Sequence, residues 1–477
     1  MPGRSLRLAL LALAGCAPSA PLGPDVVLIV ADTLRRDALG TYGAPTGSSP
    51  CLDALAARGL VYEDCVAQCS WTRPSMVSLL QGVPLPRYRD RPLEELSTLA
   101  EELSARGYAC IAGVANPLVG EDAGFARGFG AFHLRTQPPA TPGGVPLGGT
   151  WSEVWEAVEP ELEATPADQP LFLYLHLMEP HAPYRVDPRW SSALAPEAAR
   201  PLDPALARAA QGPAPLSPGE DEAWAEAEQR IQADRLAYAH AVRTLDEGIG
   251  EVVARVRALR ADRDPVFVVG SDHGEALYDC LAPPAAGPVE AAALEARLMR
   301  EHGRVLAEPL IRVPLLVFGG GVPQGQRVHG PVENLDLFPT LLALAAAGDA
   351  PSRGGGSLHP WGGAPDRGGL AFAAVLHERA VRDSTSGLKL VVPTPVGEAE
   401  GRRAVLTDWR EDPAGLRDLS LERAEERAAL EARLGAWVRT HGTPSSLDSS
   451  DPAVLRALGY AGPSGAPLPL GPAPERD

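Results

Sequence analysis

The sequence predicts an α/β domain with a mostly parallel central sheet flanked by helices, followed by a smaller C-terminal α+β subdomain. Two observations lead to this fold class. Short apolar runs alternate with helical patterns along the first 350 residues, which is the arrangement of successive strand–helix–strand units. The apolar runs are also continuous, and continuous runs are typical of strands that helices cover on both faces.

Five apolar runs are predicted to form the strands of this sheet. They begin with Asp-Val-Val-Leu-Ile-Val, and the predicted strands cover residues 25–30, 109–114, 171–177, 266–269 and 313–318. Apolar residues at helical spacing lie between them and predict helices over residues 51–58, 74–80, 96–106, 230–259 and 335–346. Proline-rich spans at 138–146 and 183–218 interrupt this alternation and indicate excursions over the surface.

The pattern changes near residue 350, where a glycine-rich stretch loses all periodicity. This stretch separates a first domain, residues 25–350, from the C-terminal subdomain, residues 367–440. Within the subdomain, the sequence predicts short strands over 369–377, 388–393 and 403–408, and a charged helix over 421–438. The tail, residues 441–477, is rich in proline, glycine and serine and is predicted to be flexible.

Charge and composition exclude one class of partner. The 477-residue chain carries a formal net charge of −18, with 61 acidic against 43 basic residues. Because nucleic acids are bound by basic surfaces, this balance argues against nucleic acid as a partner. Only one basic residue, Lys389, is a lysine. Alanine, glycine, proline and arginine are enriched together, so a GC-rich coding sequence explains the general replacement of lysine by arginine.

The N-terminal residues are predicted to be a targeting signal. Residues 1–15 combine two arginines, a short apolar stretch and a small residue before Cys16, which is the pattern of a signal peptide. Leu13-Ala14-Gly15-Cys16 resembles the lipobox of bacterial lipoproteins, with residues 16–24 as a proline-rich tether; the alternative is a plain secretory signal. We therefore expect lipidation at Cys16 and an exported protein of the bacterial cell envelope, held at the membrane by its lipid alone.

Polar side chains follow three of the predicted strands. Asp32 follows the first strand, His181 lies just beyond the third, and Asp272, His273 and Glu275 follow the fourth. In open α/β sheets, ligands bind beyond the carboxyl ends of the strands. Carboxylates and imidazoles that meet at such an edge suit a divalent metal ion, which offsets the cost of burying them.

A threonine is predicted at the start of the helix over 74–80. Trp71-Thr72-Arg73-Pro74-Ser75 precedes an apolar segment, and proline is well placed in the first turn of a helix. Thr72 would therefore lie at a helix N-terminus, where free N–H groups favour an anion. Its hydroxyl could cap the helix or, beside a metal ion, act as a nucleophile, and position alone leaves these two roles equally open.

These motifs resemble the sulfatase family within the alkaline phosphatase superfamily. Val30-Ala31-Asp32-Thr33 resembles the family's opening metal-binding segment, and Ser271-Asp272-His273-Gly274-Glu275 resembles its second one. The segments that resemble the family follow one another in the expected order, at residues 30–40, 52–82, 176–184, 271–275, 302–316, 336–342 and 409–419. Together they extend from residue 25 to about 440.

The resemblance implies an alkaline-phosphatase-like fold and one divalent cation held by Asp32, Asp272 and His273. It places Thr72 at the nucleophile position and His181 where it can protonate the leaving group. His176, inside its strand, is interpreted instead as a packed, hydrogen-bonded core histidine.

The resemblance also implies that positive residues hold the charged ester oxygens, and Arg73 and His302 are predicted to bind substrate. His302 stands about where family members use a lysine, and it supplies a weaker, pH-dependent charge. Lys389 lies in the C-terminal subdomain and cannot replace that lysine from the catalytic segments.

Two departures from the family pattern change the expected chemistry. Sulfatases oxidise the first residue of Cys/Ser-x-Pro-x-Arg to formylglycine, and here Thr72 and Met76 occupy the first and last positions. Threonine cannot give that aldehyde. Thr33 stands where these enzymes often have a second metal aspartate, so among zinc, manganese and calcium the set favours zinc or manganese.

The sequence therefore predicts a metal-dependent, sulfatase-like hydrolase of sulfate or phosphate esters, acting on a small-molecule or glycan ester with Thr72 as nucleophile. Two alternatives remain at this point. One is a phosphodiesterase, a phosphonate monoesterase or a transferase of the phosphoethanolamine type. The other is a catalytically degenerate binding protein that keeps the fold.

Overall fold

The structure is a computed structural model, and it describes residues 23–45, 47–85, 89–138, 146–190, 194, 201–211, 218–283, 297–345, 353–361 and 363–442. The predicted signal peptide, the lipidation site at Cys16 and most of the tether lie outside these residues, as does the tail beyond residue 442. No helix within the described ranges is long and apolar enough to cross a membrane.

Fifteen strands and ten α-helices are found in the described residues. The strands are β1 (Val26–Ala31), β2 (Gly59–Val66), β3 (Ala109–Val114), β4 (Ala131–Leu134), β5 (Thr136–Gln137), β6 (Leu147–Gly148), β7 (Leu171–Leu177), β8 (Val266–Gly270), β9 (Arg312–Val313), β10 (Leu315–Gly319), β11 (Gln326–Glu333), β12 (Leu370–Ala374), β13 (Glu378–Asp383), β14 (Leu388–Pro393) and β15 (Val405–Asp408). The helices are α1 (Pro50–Ala56), α2 (Thr72–Gln81), α3 (Leu99–Ser104), α4 (Trp151–Ala164), α5 (Pro204–Gln211), α6 (Pro218–Leu259), α7 (Glu308–Ile311), α8 (Leu337–Leu344), α9 (Pro395–Ala399) and α10 (Ala424–His441).

The main sheet has nine strands and is mostly parallel, which confirms the predicted fold class. Its order is β11-β2-β10-β8-β1-β7-β3-β4, with β9 paired to β2. Strands β8, β1, β7, β3 and β4 all run parallel, and β10 is antiparallel to both β8 and β2. The five parallel strands end at one edge, where the predicted polar residues gather.

The continuous apolar runs form strands because both faces of the sheet are covered. Alternate side chains of β1 point to opposite faces, so Val26, Leu28 and Val30 belong to one hydrophobic cluster and Val27 and Ile29 to the other. Every residue of β1 and β7 is buried. A sheet buried on two sides positions its strand ends rigidly, which is what a catalytic site needs.

The C-terminal subdomain is a four-stranded antiparallel sheet in the order β12-β13-β14-β15, packed against α10. Ion pairs join it to the main domain. Arg382 of β13 bonds to Asp64 of β2 at 2.6 Å and to Glu308 of α7 at 3.0 Å. Lys389 of β14 lies 3.1 Å from the same Glu308.

Several predicted elements differ in extent from the observed ones. The strand predicted over 313–318 is interrupted at Pro314, which separates β9 from β10. The helix predicted over 230–259 begins at Pro218, and the one over 96–106 is shorter, at Leu99–Ser104. The sequence patterns missed the strands β2, β4, β5, β6, β11 and β13 and the helices α4, α5, α7 and α9. Helix α5 lies within the span 183–218, for which the sequence predicts a surface excursion.

Candidate active site

The candidate site lies at the carboxyl edge of the main sheet, between β1, β8 and the start of α2. Asp32 directly follows β1, Asp272 and His273 follow β8, and Thr72 is the first residue of α2. All four residues are buried, and none is more than 1% exposed. The structure thus brings together three of the residues predicted to bind metal and the predicted nucleophile.

Asp32, Asp272 and His273 form a cluster that could hold a metal ion. One ligand atom from each lies within 4.8 Å of the others. Nε2 of His273 is 3.3 Å from Oδ2 of Asp272 and 3.9 Å from Oδ1 of Asp32. Neither of these carboxylate oxygens has a hydrogen-bond partner among the described residues, although both are buried. Two buried, unpaired carboxylate oxygens beside an imidazole nitrogen fit a divalent cation.

Hydrogen bonds from the backbone fix which atoms of this cluster remain available. Oδ1 of Asp272 accepts from the backbone N–H groups of His273, at 2.9 Å, and Thr33, at 3.3 Å. Nδ1 of His273 lies 2.9 Å from the carbonyl oxygen of Gly274. This contact places the ring proton on Nδ1, because a carbonyl oxygen only accepts, and so leaves the lone pair of Nε2 for a metal ion.

The protonation states of the cluster are set mainly by burial. Burial and the neighbouring His302 together lower the pKa of His273 to about 3, so the ring is neutral. Burial and the adjacent charge of Asp32 raise the pKa of Asp272. For Asp32, burial would raise the pKa, but the hydrogen bond from His176 and the nearby His181 outweigh it and hold the pKa below its usual range. Two close carboxylates that resist joint ionisation are the electrostatic setting that a cation relieves.

The Thr72 hydroxyl faces this cluster and does not cap its own helix. Trp71 is the N-cap of α2, and no side chain bonds to the free N–H groups there. Oγ1 of Thr72 is 3.2 Å from Nε2 of His273 and 3.5 Å from Oδ2 of Asp32. Of the two roles that position left open, the structure therefore disfavours capping.

His181 and His302 extend the site away from the metal cluster. The ring of His302 lies 4.4 Å from that of His273 and 5.2 Å from that of His181, between ring centroids. Burial, with His181 nearby, lowers the pKa of His302 to about 3, which favours its neutral ring. Glu275 holds it, with Oε1 3.0 Å from Nδ1 of His302. The assignment of His302 to substrate binding remains a prediction.

Arg73 points towards the loop that follows β3. Its Nε donates to the carbonyl oxygen of Leu118 at 2.9 Å, and its Nη1 lies 3.7 Å from Oδ2 of Asp90. Binding of an ester oxygen by Arg73 would have to compete with the carboxylate of Asp90. The assignment of Arg73 to substrate binding remains a prediction.

Two residues of the site were not identified as such from the sequence. Asn116, just beyond β3, donates from Nδ2 to Oδ2 of Asp32 at 2.5 Å. His176, interpreted as a core histidine, is fully buried and hydrogen-bonded, and its partner is the same oxygen of Asp32, at 3.1 Å. The position of Asn116 after an apolar strand is the signal that could have found it.

Thr33 adopts a conformation that is unusual for its residue type. Its φ is +58°, in the left-handed region that β-branched residues rarely enter. This backbone turn directs its N–H to Asp272 and its hydroxyl to the carbonyl oxygen of Asp32, at 2.6 Å. Local strain is thus retained where it orients the Asp272 carboxylate and the backbone of Asp32.

Comparison with known proteins gives a consistent assignment. The model of the Sulfatase family matches residues 24–347, which is more than half of the chain. Human arylsulfatase A is 28% identical over 396 residues, covering 72% of this chain and 68% of the relative. An ulvan-active sulfatase of Formosa agariphila is 26% identical, covering 68% and 62%.

Solved structures show the same fold. A protein determined in complex with its substrate D-glucosamine-2-N,6-O-disulfate superposes with a TM-score of 0.69 at 17% identity, covering 88% of this chain and 98% of that one. A phosphonate monoester hydrolase of Agrobacterium radiobacter gives a TM-score of 0.66 at 20% identity, covering 88% and 96%. With its sheet edge, its buried carboxylate–histidine cluster and this family match, the chain belongs to the sulfatase family of ester hydrolases.

Proposed function

We propose that this sulfatase-family ester hydrolase is metal-dependent, cleaves sulfate or phosphate esters of small molecules or glycans, and uses Thr72 as its nucleophile. The single observation that supports this most directly is the position of the Thr72 hydroxyl. It lies within 3.5 Å of groups on two of the three candidate metal ligands. Family membership supports the reaction class.

Asp32, Asp272 and His273 would hold one divalent cation. When bound, such an ion favours the ionised form of a nearby hydroxyl and neutralises charge on the oxygens of the ester. The donor set of two carboxylate oxygens and one imidazole nitrogen favours zinc or manganese over calcium.

The residues of the chain account for the two covalent steps. The hydroxyl proton of Thr72 passes to solvent water, and Oγ1 forms a bond to the sulfur or phosphorus atom as the bond to the ester oxygen breaks. His181, protonated at Nε2, gives that proton to the departing oxygen, while its Nδ1 lies 2.5 Å from the carbonyl oxygen of Ala182. Water then releases sulfate or phosphate and restores the threonine hydroxyl.

A direct attack by threonine differs from the aldehyde chemistry of sulfatases with cysteine or serine at this position. Thr72 has no route to formylglycine, and Met76, in place of the motif arginine, is fully buried in α2. A threonine alkoxide can attack phosphorus as well as sulfur. Phosphate diesters and phosphonate monoesters therefore belong to the proposed substrate range.

The test compares turnover of aryl sulfate, phosphate diester and phosphonate monoester substrates by the metal-loaded wild type and two variants. Thr72→Val keeps the shape of the side chain and removes only its hydroxyl, so we expect at least one ester activity to fall by about 10³-fold or more. Thr72→Ser keeps a hydroxyl and is the matched control, with a much smaller loss.

Full activity in Thr72→Val would show that another group attacks. Metal binding by the wild type without turnover of any ester would instead support the degenerate binding protein. Transfer to an added alcohol in preference to water would identify a transferase.

A further inference from the structure

Three neighbouring parallel strands bring together residues that are distant in the chain. In the register of β1, β7 and β3, His176 of β7 pairs with Val30 on one side and with Val114 on the other. Asp32 and Asn116 each lie two residues beyond these partners. The register therefore places Asn116, His176 and Asp32 in a row at the sheet edge.

All hydrogen bonds to the Asp32 carboxylate in the described residues reach one of its two oxygens. Oδ2 accepts from Nδ2 of Asn116 and Nε2 of His176, and Oγ1 of Thr72 lies 3.5 Å away. Oδ1 is buried without a hydrogen-bond partner among the described residues, and it is the oxygen 3.9 Å from Nε2 of His273. Asp32 therefore offers one free oxygen to a cation.

Tyr174 determines which proton His176 presents to Asp32. Tyr174 and His176 are two residues apart on β7, so they share a face, and the tyrosine hydroxyl is 2.8 Å from Nδ1 of His176. Burial raises the pKa of Tyr174 well above its usual range, so the phenol keeps its proton. When that O–H donates to Nδ1, Nε2 is the ring nitrogen that carries a proton, and it donates to the Asp32 carboxylate.

We propose that Tyr174 and His176 form a buried relay that keeps Asp32 a single-oxygen metal ligand and thereby biases the site towards zinc or manganese and against calcium. This inference rests on the metal site of the proposed function. Tyr174 and His176 are positioning residues, because they act on the cation only through Asp32.

The second carboxylate has the same arrangement, which strengthens the inference. Backbone N–H groups occupy Oδ1 of Asp272, and its Oδ2 is buried without a partner in the described part of the chain. The site therefore presents two single oxygens and one nitrogen. Zinc commonly takes three protein ligands and leaves one position open, whereas calcium takes six to eight oxygens and often binds carboxylates through both of theirs.

The test measures metal binding directly, without substrate. Metal-free protein is dialysed to equilibrium against Zn²⁺, Mn²⁺ or Ca²⁺, and bound metal is counted by mass spectrometry. In Tyr174→Phe and His176→Leu we expect affinity for Zn²⁺ and Mn²⁺ to fall by about 10- to 100-fold, the usual effect of losing a hydrogen bond that orients a ligand. Affinity for Ca²⁺ should fall much less, because Oδ2 then keeps the hydrogen bond from Asn116 but has a lone pair available to the ion. His176→Gln, which keeps an N–H donor, should recover part of the loss.

Tyr62→Phe is the matched control. Tyr62 is as buried as Tyr174 and lies in the same hydrophobic cluster, and its hydroxyl has no partner in the described residues. The inference is wrong if Tyr174→Phe binds Zn²⁺ like Tyr62→Phe, if all three ions weaken equally, or if the wild type binds none of them. If His176→Leu does not fold, the comparison of Zn²⁺ affinity between Tyr174→Phe and Tyr62→Phe still tests the inference. Because the test measures metal binding and not hydrolysis, it can be interpreted even if the proposed ester chemistry is wrong.

Discussion

At the scale of single residues, His181 is the residue whose proposed role depends most on the substrate. It lies at the outer end of the row of three histidines and is partly exposed, whereas His273 and His302 are buried. A residue at this position can reach the leaving oxygen from the solvent side. We therefore expect the contribution of His181 to kcat/KM to be largest for esters whose leaving group is a strongly basic alkoxide.

His181→Gln should therefore lower kcat/KM by about 10²- to 10⁴-fold for esters of alkyl alcohols, which are poor leaving groups without a proton. Nitrophenyl esters leave as stable anions, so their loss should stay below about tenfold. The measurement is kcat/KM for both ester types with the wild type and the variant. An equal loss for the two types would show that His181 positions the substrate and does not act as the acid.

Whether a site residue could be identified from the sequence depends on whether its contacts are local or distant in the chain. Asp32 directly follows β1, and Asp272 and His273 lie two and three residues beyond the end of β8. A charged residue so close to the end of a buried strand has few structural uses. Asn116 gives a weaker signal, because asparagine often closes turns after strands. The partner of His176 lies 144 residues away, and only the register of β1 and β7 reveals it.

At the scale of elements, α2 is the helix on which the position of Thr72 depends. The helix ends at Gly82, which has a φ of +66° and closes the last turn with its N–H on the carbonyl oxygen of Ser78 at 2.8 Å. A Cβ on Gly82 would lie 2.7 Å from the Phe338 ring of α8. Glycine is thus required both for its backbone conformation and for this close packing.

Gly82→Ala is expected to reduce the free energy of unfolding by about 2–4 kcal/mol, from backbone strain and overpacking together. The control is Gly107→Ala, which has a φ of +87° and nothing within 4 Å of the added Cβ. It should cost only about 1–2 kcal/mol. Chemical denaturation of both variants gives the comparison, and equal losses would mean that the contact with Phe338 does not contribute.

Two of the strands that the sequence patterns missed, β2 and β13, share a physical cause. Strand β2 carries Glu63 and Asp64 in its interior, and β13 carries Arg379 and Arg382, so neither gives a continuous apolar run. Glu63, Asp64 and Arg382 are tolerated there because they are paired with residues of elements that lie far apart in the chain. Helix α4, in contrast, had a readable local signal in the capping box of Thr150 and Glu153, although Pro160 inside it weakens the helical pattern.

At the scale of the whole molecule, buried charges join the two sheets in addition to a shared apolar cluster that includes Val66, Ile311, Ala371 and Ala380. Arg382 is 1% exposed, bonds to Asp64 and Glu308, and lies with its guanidinium 3.4 Å from the centre of the Trp409 ring. Lys389, the single lysine of the sequence, completes this group by bonding to Glu308 and to the carbonyl oxygen of Leu306. Lys389 therefore helps to hold the C-terminal sheet against the main domain.

This buried group makes the contact between the sheets sensitive to acid. Burial alone would raise the pKa of Asp64, but Arg382 and Arg312 outweigh it and lower that pKa. The pKa of Glu308 is lowered in the same way, by Arg382 and Lys389 against burial. A carboxylate whose pKa is lower in the folded state stabilises that state fully above its unfolded pKa of about 4, and the contribution is lost as the pH falls below that value.

Asp64→Asn should therefore lower stability by about 1.5–3 kcal/mol at pH 7, the contribution of a hydrogen bond to a charged group. The difference in Tm between wild type and variant should shrink as the pH falls from 5 to 3, because protonation removes in the wild type the charge that the variant already lacks. Asp262→Asn, which removes the same charge from an exposed position, serves as the control. Melting curves across this range decide, and a Tm difference that stays constant down to pH 3 would show that the Asp64–Arg382 pair does not control docking in acid.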